Sequence, residues 1–318
     1  MTMDSAASGQ KAAGGLASWV GRLWLGSPLV IAAGPWSAGE APAPTLPAEA
    51  QAAGALVSKT VTLRARAGNP EPTVRAAPGG LLNRIGLRNP GVTEFLAQRL
   101  PRLLALPAPV LISVAAEQPG ELAELLGQLE AGTEEARVVG YELNASCPNL
   151  EGEPPTPPQL RELLIAARRQ TARPLWVKLG YAERTSLCER ARACAEGGAD
   201  ALVATNTVPA LAVSVVGARQ LNEESPPFVG GLSGASLHPL ALREVWELTR
   251  AQALPVIGCG GVRSLAEALS FFAVGAAAVQ LGTALYPPAS GAPEPVLPAL
   301  QRELAEYLQA RGVPSLTQ

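Results

Sequence analysis

Eight short apolar runs, each closing on or near a small or polar residue and separated by helix-periodic stretches, predict an α/β protein, a (β/α)8 TIM barrel with loop excursions over its C-terminal mouth. Length agrees, because 318 residues accommodate a barrel of about 250 residues together with its additions. Polar side chains also gather where the apolar runs end, the edge on which such barrels build their sites.

In chain order, residues 1–18 read as a flexible tail and residues 19–318 as one barrel domain. Trp19 and Trp24, interrupted by Gly21 and Gly26, fit a short hairpin better than an amphipathic helix. The candidate strands are Leu29 to Ala33, Ala55 to Lys59, Val110 to Ala115, Val138 to Asn144, Leu175 to Leu179, Ala201 to Asn206, Pro255 to Gly258 and Ala277 to Leu281. Between them lie helical patterns such as Leu160 to Arg169 and Leu187 to Gly197, the second stopping at glycine as helix C-termini favour. Two stretches are too long to be plain connectors, Thr62 to Pro90 and Pro209 to Ser236, and are expected to run over the barrel mouth.

Composition removes several classes of function. With 47% hydrophobic and 16% charged residues the chain has the makings of a core, and a net charge of −2 does not suit a nucleic-acid surface. No apolar run approaches the roughly 20 residues of a membrane span, and the start of the chain lacks the apolar segment of a secretory signal. The expectation is a cytoplasmic protein with no membrane and no nucleic acid among its partners. Cys147, Cys188, Cys194 and Cys259 show no metal-type spacing, so no metal site is expected. Cys188 and Cys194 fit helix packing, and Cys259 fits packing beside a glycine turn. The sole histidine, His238, precedes Pro239 at a helix start and reads as solvated or capping, which sets aside a histidine triad.

The segment Tyr141 to Asn149 is the most informative. It ends an apolar strand in amides, a hydroxyl and a thiol, groups a buried strand does not need. Asn144 and Asn149 each offer an acceptor and two donors to a flat polar heterocycle, and Cys147 offers a proton-accepting sulfur with Pro148 fixing the backbone after it. The final two strands end in Gly258-Cys259-Gly260-Gly261 and Gly282-Thr283, where barrels frequently hold phosphate on backbone N–H groups. Lys59 and Lys178 each finish an apolar strand on the same face as Asn83, Asn144, Asn149 and Asn206, a set suited to an anion and to ring carbonyls. A strand-end lysine also serves a Schiff-base aldolase, which stays open at this point.

The motifs Ser58-Lys59-Thr60, Arg66 to Pro70, Leu82 to Leu87, Asn144 to Asn149, Val177-Lys178-Leu179, Asn206-Thr207, Gly230 to Gly234, Gly260-Gly261 and Gly282-Thr283 recur in one order and spacing. Through them the chain, from about Leu29 to Leu285, resembles the dihydroorotate dehydrogenases, specifically the soluble, cysteine-containing class 1. The resemblance implies an FMN-binding barrel that oxidises dihydroorotate to orotate in pyrimidine synthesis. By it, Cys147 is the base at C5 while the C6 hydride passes to flavin N5. Substrate would be held by Lys59, Asn83, Ile85, Gly86, Leu87, Asn144, Asn149, Asn206 and Thr207. FMN would be held by Ala33, Gly34, Lys59, Thr60, Asn144, Lys178, Gly234, Gly260, Gly261, Gly282 and Thr283, with Lys178 stabilising the reduced anion.

Two departures from the family pattern stand out. Ala32-Ala33-Gly34 stands where the family often has Ala-Ser-Gly, losing a hydroxyl near the flavin, and Leu150 to Pro158 is short and rich in proline and acid in a neighbourhood that, in the family, borders the mobile lid over the substrate. Cysteine as base and no amphipathic helical pair before Leu29 disfavour quinone as acceptor. Leu81 to Gly91 and Gly230 to Gly234 look more like the NAD-linked group, which implies a homodimeric core and a partner subunit carrying FAD and a [2Fe-2S] cluster, since this chain lacks cysteines for one. The shortened segment after Asn149 is more like the fumarate-using homodimers. A tRNA-dihydrouridine synthase, also an FMN barrel with a cysteine, would want a more basic face. A non-catalytic barrel serving as an assembly subunit fits poorly with the intact Cys147 and asparagine set.

Overall fold

A computed structural model of the chain describes residues 15–34, 45–133, 137–145, 154–213, 227–286 and 294–314. Cys147, Asn149 and the Leu150 to Glu153 part of the shortened segment lie outside the described residues. Eight parallel strands close into a barrel: β3 (Leu29–Ile31), β4 (Ala55–Val57), β7 (Val110–Val114), β8 (Val138–Asn144), β9 (Leu175–Lys178), β10 (Ala201–Ala204), β13 (Val256–Cys259) and β14 (Ala278–Leu281). Each falls on a run expected from the sequence. The reason is general: parallel strands covered on both faces must be apolar throughout, and such runs stand out.

The helices follow their strands: α1 (Leu46–Ala52), α2 (Gly91–Glu94) leading through a wide turn into α3 (Leu100–Leu104), α4 (Pro119–Gly132), α5 (Pro157–Arg168), α6 (Arg184–Gly197), α7 (His238–Ala251), α8 (Leu265–Ala273) and α9 (Val296–Arg311). α6 ends on Gly198 with φ of 91°, left-handed backbone that glycine adopts without steric cost. Outward-facing strand residues such as Ile31, Ile112, Leu143 and Val177 pack against helix residues including Leu125, Leu164 and Val245, and all of these are buried.

A second apolar cluster fills the barrel. Val30, Val57, Leu111, Trp176, Val203 and Ile257 point inward, and a hairpin of β1 (Ser18–Val20) and β2 (Leu23–Leu25) adds Val20 and Leu25 from below. Trp19 faces Trp24 across the hairpin, both on its outer side. The hairpin sits at the N-terminal ends of the strands, because Ser18 Oγ donates to the Ala277 carbonyl at 2.7 Å just before β14. The packed chain begins ahead of the expected tail boundary: Leu16 is fully buried in the main core, so residues 16–18 belong to the folded body.

Asp200 pins this end. It accepts from Arg22 Nε at 2.6 Å, from Arg168 Nη2 at 2.6 Å and from the Leu175 N–H at 2.8 Å. Burial pushes its carboxyl up, but the Arg22 hydrogen bond, the Leu175 N–H and the two guanidinium charges outweigh burial and hold it below the usual range. Its stabilisation is therefore present above the unfolded value of about 3.9 and disappears as pH falls through the lower folded value. Asp200→Asn is expected to lower stability at neutral pH by about 1.5–3 kcal/mol, chiefly through Arg168 and Leu175, since Arg22 is mostly exposed. Urea melts of the two proteins should converge in strong acid; a gap that persisted there would remove the electrostatic account.

The two excursions meet above the barrel. β5 (Val74–Ala77) and β6 (Gly80–Asn83) come from the first, β11 (Val208–Ala212) and β12 (Phe228–Gly234) span the second, and β12 pairs antiparallel with β6 to give one four-stranded sheet. At this joint the backbones approach so closely that a Cβ on Gly80 would lie 1.7 Å from the Ser233 carbonyl oxygen. Among the described residues no helix is long and apolar enough to cross a membrane.

Candidate active site

Between the strand C-termini and this sheet lies a cavity of about 650 Å3, within the size range of small-ligand pockets. Its wall includes Ala33, Gly34, Lys59, Thr60, Asn83, Ile85, Leu87, Asn144, Lys178, Asn206, Thr207, Gly234, Gly260, Gly261, Gly282 and Thr283. Among the described residues expected from the sequence, Gly86 alone does not face it. Gly86 is buried with φ of 71°, and a Cβ there would meet Asn69 at 2.9 Å, so its service is to turn the loop that presents Ile85 and Leu87.

That loop is clamped. Asn69 Nδ2 donates to the Arg84 carbonyl at 2.8 Å, and Arg66 and Asn89 exchange backbone hydrogen bonds at 2.9 and 3.1 Å. Asn89 Nδ2 donates to the Leu87 carbonyl at 2.7 Å while its Oδ1 accepts from the Gly91 N–H at 2.9 Å. These bonds hold Leu87 at φ of 52°, a left-handed conformation unusual for leucine. Such fixed strain occurs where the direction of a side chain matters more than its local comfort.

One side of the cavity is an amide relay. The Thr207 N–H donates to Asn206 Oδ1 at 2.8 Å, Asn206 Nδ2 to Asn144 Oδ1 at 3.0 Å, and Asn144 Nδ2 to Thr60 Oγ1 at 3.1 Å. Thr60 shares a hydrogen bond with the fully buried Ser113 hydroxyl at 3.0 Å. The residues come from four strand ends, and each fixes the next, so the amide edges are oriented before any ligand arrives. Asn83 is tied to the sheet by its Nδ2 donating to the Gly231 carbonyl at 3.2 Å.

The opposite side is backbone. Gly260 and Gly261 follow β13 with φ of 142° and 71°, and a Cβ on Gly260 would press to 2.6 Å from the Ala241 side chain. His238 is not simply solvated or capping: its ring nitrogens lie 3.0 Å from the Gly260 carbonyl and 3.0 Å from Ser270 Oγ, so it braces the glycine turn against α8. Among the described residues, a Cβ at Gly34 would meet nothing within 4 Å and one at Gly282 only the Ala32 side chain at 3.7 Å, so none of them crowds the backbone at either position. Bare backbone of this kind lets a phosphate-bearing group approach main-chain N–H donors.

The floor carries charge. Lys178 is 6% exposed; burial opposes its ammonium, but the Cys259 sulfur and the Glu142 carboxylate outweigh it and hold the pKa above the ordinary lysine value. Burial pushes the Cys259 thiol up, against the pull of the Lys178 ammonium. Cys259 lines the cavity beside the lysine, so it is more than packing under a glycine turn. Cys194, packed in the core, is pushed up to about 12 by burial and is chemically quiet. Glu142, missed by the sequence reading, lines the cavity while fully buried, and its Oε1 has no hydrogen-bond partner among the described residues. Its signal was present, since Glu142 lies two residues before Asn144 on one strand and so shares its face.

A closed parallel barrel with oriented amides, a buried cation and bare glycine backbone around one cavity is the architecture of a barrel enzyme, with room for a flat, polar ligand. The family described as dihydroorotate dehydrogenase matches residues 16–308, and the chain belongs to it. It is 39% identical over 264 residues, 81% of this chain and 84% of the other, to the catalytic subunit of dihydroorotate dehydrogenase B (NAD(+)) of Pelobacter propionicus. The same-named subunit of Trichlorobacter lovleyi is 37% identical over 306 residues, 94% and 95% of the two chains. A dihydroorotate dehydrogenase of Eimeria tenella, solved in complex with ferulenol, superposes with a TM-score of 0.73 at 19% identity, over 95% of this chain and 86% of that one, a likeness of fold.

Proposed function

We propose that the protein is the catalytic subunit of an NAD-linked dihydroorotate dehydrogenase, oxidising dihydroorotate to orotate with bound FMN. The observation that carries this reading is the convergence of the amide relay, Lys178 and the glycine turns on one cavity in a chain of this family. Among the described residues, the uncrowded backbone at Gly34 and Gly282 and the Glu142 oxygen without a hydrogen-bond partner suit a large group with N–H donors and a phosphate. When bound, FMN supplies the hydride acceptor.

The chain's own residues do the rest. Asn144 and Asn206 hold the pyrimidine ring edge, Thr60 and Ser113 keep Asn144 in register, and Asn83, Asn149 and Thr207 complete the polar shell around substrate. Lys59 pairs with the substrate carboxylate. Cys147 takes the C5 proton. Gly260, Gly261, Gly282 and Thr283 offer backbone donors to phosphate, and Ala33, in place of serine, leaves that contact to backbone.

Electrons leave to NAD through a separate subunit bearing FAD and a [2Fe-2S] cluster, on a homodimeric catalytic core in the cytoplasm. The relatives' names point to NAD and to a subunit of a larger enzyme. Adding dihydroorotate anaerobically to the purified protein should bleach a visible flavin band. A band that persists would send the search to another substrate, and rapid fumarate reduction by the chain alone would remove the partner.

A further inference from the structure

Lys178 Nζ donates to Gln280 Oε1 at 3.0 Å, and Gln280 Nε2 donates to Glu142 Oε2 at 2.6 Å. Gln280 is 1% exposed and Glu142 fully buried, on strands β14 and β8 that face each other through the barrel. A carboxylate only accepts and an ammonium only donates, so one orientation of the amide satisfies both. Its oxygen must face the lysine and its nitrogen the carboxylate. Gln280 is thus a neutral spacer between two opposite buried charges that would otherwise close into a contact pair.

That separation matters at the cavity. Lys178 and Glu142 both line it, whereas Gln280 stands behind them. In a contact pair the two charges would largely cancel for anything bound above. Held apart, the ammonium dominates the field on its own side, in a medium where charges interact strongly. We propose that Gln280 and Glu142 are positioning residues that set how much positive charge Lys178 presents to the bound ring, and thereby its tendency to accept electrons. The proposal rests on the FMN reading above.

Two near-isosteric changes test it, with the midpoint potential of bound FMN, titrated against a reference dye, as readout in place of turnover. Glu142→Gln removes the negative charge and should favour reduced over oxidised flavin by at least about tenfold relative to the native protein, about 30 mV upward for a two-electron couple. The double exchange E142Q/Q280E keeps composition and net charge but moves the carboxylate against the lysine, and should shift the potential downward by a similar factor. Opposite signs support the positioning role; shifts of one sign, or a double exchange at the native potential, overturn it. If the single variant fails to fold, the double exchange decides alone. A native protein that binds no FMN would overturn the flavin reading itself, whereas native FMN binding with unmoved potentials removes only the role of this pair.

Discussion

Replacing Cys147 with alanine is expected to slow flavin reduction by dihydroorotate by about 10²- to 10⁴-fold, the usual contribution of a positioned general base, with FMN still bound. The assignment rests on the residue's place between Ser146 and Pro148-Asn149 and on the family to which the chain belongs. A thiol titrates at about 8.5 when unperturbed, so the native rate should climb with pH until the thiolate dominates. The alanine variant should lose that slope. Single-turnover bleaching across pH measures both quantities, and a variant that reduces its flavin at the native rate would sink the assignment.

The second large effect belongs to Lys178. Lys178→Met keeps the bulk but leaves the Glu142 carboxylate buried with no opposite charge, a change expected to cost about 3–5 kcal/mol in stability and to release FMN. Adding Glu142→Gln should recover part of the stability, because the two losses share one cause and are not additive. Thermal unfolding with and without added FMN tests this. Native stability and full flavin content in Lys178→Met would show that the charge is dispensable. Recovery of stability without recovery of flavin in the double variant would separate the lysine's two duties.

The barrel was legible because its signal is local. Runs such as Val110 to Val114 and Ala201 to Ala204 are buried on both faces, and the polar residues closing them marked the site edge. The glycine turns were legible for the same reason, being short and punctual. What lay hidden depends on distance along the chain. Gln280 and Glu142 are 138 residues apart, and nothing within either apolar run says that the barrel brings one against the other. His238 was read from its neighbour Pro239, but its duty comes from Gly260 and Ser270, 22 and 32 residues on. The run Arg66 to Pro70 matched a family motif without an evident purpose; its Asn69 proves to be part of the clamp that shapes the loop of Ile85 and Leu87.

The hairpin under the barrel has a further effect, on traffic. Val20, Leu25 and Trp176 are all inaccessible to solvent, so the tube is stoppered at its lower end. Among the described residues the cavity lies at the other end, at the strand C-termini. On the proposed function, product would leave by the end through which substrate came, and a small diffusible oxidant would queue for the same end. An oxidant delivered as a docked protein, passing electrons rather than atoms through the wall, is spared the queue.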